Sequence, residues 1–250
     1  MCGRFVSTSS PQDLVAELSV TRWDPAVTLA PDYNVAPTAN VWAVLERLDK
    51  ETGEVERQLR ALRWGLVPSW AKDPSVGSRM INARVETVHE KPAYRKAFAA
   101  RRCLLPADGF YEWAQLTAEQ TGGKARKQPY FIRPEDPAQK MWLAGLYEFW
   151  RDPGRDREDP AAWWTTCTIL TTEATDVAGR VHPRMPLALA PADVDGWLDP
   201  AHTDPDSLRA LLHQPADGRL AAVPVGLAVN NVRNNGPELI VPDPAAPPMP

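Results

Sequence analysis

The residue best placed to do chemistry opens the chain, in MCGRF. Once Met1 is removed, Cys2 carries a free amine and a thiol on adjacent carbons. Such a 1,2-aminothiol reacts with an aldehyde in two stages. The amine forms an imine, and the thiol then closes on the imine carbon to give a five-membered thiazolidine. An N-terminal amine has a pKa of about 7.7 to 8.0, so much of it is nucleophilic near neutrality. An internal cysteine cannot do this, and the commoner role of a free cysteine is apolar packing.

Three further polar residues stand in surroundings where polar side chains need a reason to be. Asn82 lies in MINARVET, with Arg84 and Glu86 close behind it. Glu112 lies in ADGFYEW among aromatic neighbours, where desolvation would raise its pKa and suit it to proton donation near neutral pH. The plainer role for Glu112 is an exposed residue on the outer face of a strand. His182 stands in VHPRMPLAL between Arg180 and Arg184, where an ordinary loop histidine is the alternative. In RWGLVPSW, Trp64 and Trp70 flank a Gly and a Pro, a pattern that suits stacking on nucleic-acid bases as well as core packing.

Other chemistries lack their motifs. There is no GxGxxG, no GxxxxGK[ST] and no GxSxG. The four histidines form no metal-ligand spacing, and the three cysteines, Cys2, Cys103 and Cys167, form no CxxC pair. The expectation is a mechanism with no metal and no cofactor, and no disulfide framework.

The elements that must position these residues read as α+β in one domain. Residues 12–18 form a short helix capped by the preceding Ser-Ser-Pro, and NVWAVLERL alternates as a half-buried strand does. KETGE is a hairpin turn into the strand VERQLRALRWGLV, and HEKPAYRKAFA is a helix. CLLPADGFYEWAQL, PYFIRP, MWLAGLYEFW and WWTTCTILTTEA are strands rich in aromatic and β-branched residues. TAEQTGGKARKQ reads as a polar hairpin tip and RDPGRDREDPAA as a charged loop. The Pro-rich tail, residues 242–250, should be disordered.

The chain is 250 residues long, 44% hydrophobic and 24% charged, with no apolar run of membrane-spanning length and no secretory signal, so a cytoplasmic protein is expected. Its net charge of −4 argues mildly against a polyanionic partner. From Arg79 to Arg102, however, seven basic residues stand against two acidic ones. That stretch could hold phosphates or be no more than a solvated helix face.

Taken in order, MCGRF, DYNVAPT, RWGLVPSW, MINARVETV, RRCLLPADGFYEW, HPRMPLAL and NNVRNNGPELI resemble the SOS response-associated peptidase family, the abasic-site processing proteins. The resemblance runs over residues 2–241 and implies a single domain with a mostly antiparallel, curved or barrel-like sheet core and flanking helices. It implies a shield for abasic sites in single-stranded DNA, formed when Cys2 cross-links to the ring-opened sugar aldehyde. Cys2, Asn82, Glu112 and His182 fill the family's four catalytic positions, and Arg4 and Arg84 match its phosphate-contacting arginines. Asn34 and Pro37 of DYNVAPT, Arg79 of the basic stretch, and Trp64 and Trp70 complete the expected DNA surface. The resemblance further implies reversal of the adduct, an abasic-site lyase side activity and removal of Met1. A monomer associated with the nucleoid when bound to DNA is expected. Met185 departs from the polar or basic residue expected before Pro186 and could alter DNA contacts. Two rivals stay open: an N-terminal-nucleophile cysteine amidohydrolase, and a non-catalytic single-strand DNA binder.

Overall fold

The computed structural model describes residues 2–121, 123–213, 219–246 and 249. Twelve strands occur among them: β1 (Phe5–Ser7), β2 (Asp32–Val35), β3 (Asn40–Leu48), β4 (Val55–Trp64), β5 (Asn82–Arg84), β6 (Arg102–Ala107), β7 (Gly109–Leu116), β8 (Arg126–Pro134), β9 (Met141–Arg151), β10 (Trp163–Glu173), β11 (Arg184–Pro186) and β12 (Leu220–Pro224). Six short α-helices flank them: α1 (Pro11–Glu17), α2 (Arg95–Ala100), α3 (Ala118–Thr121), α4 (Asp176–Val181), α5 (Val194–Leu198) and α6 (Pro205–Ala210). The α+β class follows from this mixture.

One sheet runs β12-β8-β7-β1-β2, antiparallel throughout. The other runs β11-β10-β4-β3-β6-β9, and β9 pairs back onto β10, so five of its strands close into a barrel. Cross-strand partners share a face, so the register Val41↔Leu62, Leu45↔Cys103 and Leu105↔Leu143 sends one set of side chains inward. That set is buried, and so are Phe5, Phe110 and Ile132 from the five-stranded sheet, which packs across one end of the barrel. The opposite parity, with Trp42, Val44, Leu59 and Leu104, forms a second apolar cluster with Leu14, Phe98 and Trp197 of α1, α2 and α5.

Several local expectations change. CLLPADGFYEWAQL is two strands in different sheets, parted at Asp108. The Asp108 carboxylate accepts the backbone N–H and hydroxyl of Thr8, and Gly109 lies where a Cβ would come within 2.6 Å of the Ile132 carbonyl oxygen. The helix expected over 89–99 is confined to α2, because Pro92 has no N–H to carry a ladder through the preceding turns. The tail also begins in order: Pro242 bridges Val225, Asp243 N–H donates to the Pro224 carbonyl, and Met249 packs on the barrel-side core. Pro247, Pro248 and Pro250, and Gly122 of the polar hairpin tip, lie outside the described residues.

Candidate active site

Cys2 is delivered by β1, which lies between β2 and β7 with Phe5 paired to both Val35 and Phe110. Phe5 meets Trp64 edge-on at 5.1 Å, which pins the N-terminal segment across the barrel end. Cys2 is fully buried, and burial, with the Glu112 charge adding to it, pushes its thiol up to about 12. The sulfur is therefore a neutral thiol at physiological pH.

Asn82 sits on β5, which runs parallel to β10 in the register Ile169↔Asn82. Its Nδ2 donates to the Cys2 carbonyl at 2.7 Å, joining the barrel to the N-terminal segment. Its Oδ1 is buried without a hydrogen-bond partner, an acceptor in need of a donor. The Tyr94 hydroxyl donates to the Asn82 carbonyl at 3.4 Å.

Glu112 lies on β7 and is buried, not on a solvent face. Desolvation raises its pKa, while His182 acts in the opposite sense. His182 follows α4, and its Nδ1 lies 3.0 Å from the Arg184 backbone N–H, which donates to it and leaves Nε2 to carry the proton. The same nitrogen is 3.1 Å from the Arg184 carbonyl, a contact that would be a hydrogen bond only in the opposite tautomer. Arg184 itself is held by Glu86 at 2.6 Å and by the Thr171 carbonyl, so it anchors β11, the strand that begins two residues after the histidine. Glu112 and His182 face a cleft of about 500 Å³, together with Trp113, Lys127 and Asn230.

The four residues singled out for catalysis thus converge from four elements. The residues expected on DNA divide. Trp70 is 67% exposed, and Arg79 and Arg84 are exposed. Trp64 is fully buried and donates its Nε1–H to the Ile81 carbonyl, so its ring is a core element and not a stacking platform. Asn34 is also buried: its Nδ2 reaches the carbonyls of Val229, Asn231 and Asn234, and its Oδ1 accepts from Arg4 at 2.6 Å. It organises the 229–234 segment and has no free edge for DNA. Pro37 is half-buried in the turn between β2 and β3, and Arg4 is half-buried, bonded to the Val229 carbonyl and lying 5.9 Å from the Trp113 ring. Met185 is buried in the core and makes no outer surface.

Trp113, Lys127 and Asn230 were missed by sequence reasoning. Trp113 adjoins Glu112, and its Nε1–H donates to Asn230 Oδ1 at 2.7 Å. The signal was the polar density of NNVRNN, which Asn34 folds back toward the cleft.

The family model described as SOS response associated peptidase (SRAP) matches residues 1–232. The chain belongs to the SRAP family. Among its relatives is the abasic site processing protein YoqW of Bacillus subtilis, 40% identical over 96% of this chain and 99% of the relative. The abasic site processing protein HMCES of Xenopus tropicalis is 30% identical, over 95% of this chain and 77% of its own. A crystal structure of a Bacteroides thetaiotaomicron protein has the same fold, with TM-score 0.78 over 97% of this chain and all of its own at 21% identity. A phage-related protein of Bordetella bronchiseptica matches with TM-score 0.62 at 30% identity over 90% of this chain and 94% of its own. No described helix of this SRAP chain is long and apolar enough to cross a membrane.

Proposed function

We propose that this SRAP protein captures abasic sites in single-stranded DNA by a covalent bond to Cys2. Removal of Met1 by hydrolysis of the Met1–Cys2 peptide bond frees the amine. The amine adds to C1′ of the ring-opened sugar, and loss of water gives an imine. The thiol sulfur then bonds to the same carbon while its proton passes to nitrogen, closing the thiazolidine. Glu112, whose pKa is raised by burial, gives a proton to the departing hydroxyl and can take one back on reversal. The buried Oδ1 of Asn82 offers an acceptor for the amine or a sugar hydroxyl, while its Nδ2 holds the Cys2 carbonyl. His182 acts on the sugar's ring oxygen and hydroxyl, aiding opening and reversal. An imine that persists loses its C2′ proton and eliminates the 3′ phosphate, which is the lyase side activity.

The observation that carries this reading is the Asn82–Cys2 bond beside the buried Glu112 carboxyl, with His182 across the same cleft. A neutral thiol suits closure onto an electrophilic imine better than attack on an unactivated amide, which weighs against the amidohydrolase. All four groups come from one chain, so a monomer suffices. The protein would work in the cytoplasm, on the nucleoid.

The test is intact mass spectrometry before and after incubation with a single-stranded oligonucleotide bearing one abasic site, alongside Cys2→Ala. A mass lacking Met1 that shifts by the oligonucleotide, survives denaturation and is absent in the variant is expected. No shift from a protein with a free Cys2 amine would overturn the proposal.

A further inference from the structure

At the barrel end away from Cys2, the inward-facing positions of β3 and β4 change from apolar to charged. Ala43 pairs with Arg60, Leu45 with Gln58 and Arg47 with Glu56, so the row that begins with Val41 and Leu62 inside the core turns polar toward the mouth, where it carries the guanidiniums of Arg60 and Arg47 and a Glu56 carboxylate already engaged by Arg22. The barrel seam is parted there. β4 meets β10 only at Arg63 and Trp64, and its earlier part bonds instead to the Thr21–Arg22 segment.

The opening is a cavity of about 480 Å³ lined by Arg22, Trp23, Asp24, Arg47, Gln58 and Arg60, among others. That volume is within the range of small-ligand sites, and barrel mouths are a recurrent location for them. Arg22 is answered by Glu56 at 2.9 Å and Asp49 at 4.0 Å. Arg60 is half-buried and has no hydrogen bond or ion pair among the described residues. Arg47 is exposed, with the Phe149 ring beneath it at 5.2 Å and no hydrogen bond or ion pair among the described residues. Asp24 spends one carboxylate oxygen on the Ala26 N–H. Burial lowers the pKa of Arg60, and the neighbouring Arg47 and Arg22 charges add to that, with Tyr147 opposing. A half-buried guanidinium among like charges is costly unless an anion answers it.

We propose that this mouth is a second ligand site, separate from the Cys2 cleft, for a phosphomonoester carried on a nucleoside, with the phosphate on Arg47 and Arg60 and the base against Trp23. Two forked guanidiniums suit a tetrahedral dianion, and the half-buried indole supplies an apolar face for a ring. The phosphate could come from a free nucleotide or from the phosphorylated end of a DNA strand. The site does not depend on the abasic-site reading.

Isothermal titration calorimetry of the full chain with deoxyadenosine monophosphate, and separately with inorganic phosphate, tests it. Binding weakened about tenfold or more by Arg60→Gln and by Arg47→Gln is expected for loss of a charged bidentate contact. Trp23→Leu should weaken the nucleotide and spare inorganic phosphate. Competition by a short 5′-phosphorylated oligonucleotide, but not by its unphosphorylated twin, would assign the strand end; competition by neither would assign the free nucleotide. Circular dichroism confirms that the variants fold, and Arg60→Lys, which keeps the charge but loses the fork, serves if Arg60→Gln does not. No heat from either ligand, or affinities unmoved by the Arg60 and Arg47 variants, would overturn the proposal.

Discussion

Glu112 places an ionisable carboxyl where water is scarce, which sets stability against chemistry. Its folded pKa lies above the unfolded value, so the native state binds the proton more tightly. The cost is absent below the unfolded carboxylate value of about 4.3 and grows as pH rises through the folded value. Glu112→Gln should therefore melt higher than the parent at neutral pH, and the two melting curves should converge in acid. The same variant should slow adduct formation by roughly 10²-fold or more, the usual worth of a positioned proton donor. Equal melting at neutral pH would show that the carboxyl is not desolvated. Asn82→Ala tests the other contact. It removes the donor to the Cys2 carbonyl, a loss of about 1 kcal/mol, and lets the nucleophile drift, which should cut the cross-linking rate by about tenfold to a hundredfold. Single-turnover gel assays on both variants give those rates directly.

At the scale of elements, Arg102 joins parts that are far apart in sequence. It is buried, and its guanidinium donates to the carbonyls of Phe98, Ala99, Trp197, Asp199 and His202, tying α2 and the end of α5 to β6. Arg102→Met keeps the aliphatic bulk and leaves those carbonyls to find water, so denaturant unfolding should report a loss on the order of 3 kcal/mol. Arg102 also shows where the sequence misleads, since it belongs to the basic stretch that looked like a phosphate-binding face. The strand Asn40–Leu48 was legible, but not its burial: the alternation that suggested a half-buried strand is absent, because Val41, Ala43 and Leu45 face the barrel core while Trp42 and Val44 are covered by the helices. The break at Asp108 was not legible, because a single residue that switches sheets carries no periodicity. Burial of Trp64 and Asn34 depends on partners distant in the chain, at Phe5 and at Val229–Asn234, and no local pattern names such partners. The proposed catalytic set was read from its motifs, each of which lies on a separate element that the barrel end draws together.

For the molecule as a whole, the question is how a chain of net charge −4 holds a polyanion. The structure sorts the basic stretch by availability. Arg101 is paired with Glu148 at 2.7 Å and Arg102 is internal, whereas Arg79 and Arg84 are exposed, as is the Trp70 ring. If DNA lies across those exposed groups, few phosphates are neutralised, and the logarithm of affinity should fall with the logarithm of salt at a slope of roughly −0.7 per contact for single strands. Arg84→Gln and Arg79→Gln should each make the slope shallower by about that amount, while Arg101→Gln should leave it unchanged. Trp70→Ala should weaken binding by about 1 to 3 kcal/mol without altering the slope, because stacking releases no counterions. Fluorescence anisotropy on an intact oligonucleotide, repeated with Cys2→Ala to exclude covalent capture, separates these contributions. A slope that responds to Arg101 but not to Arg84 would place the strand on the other side of the basic stretch.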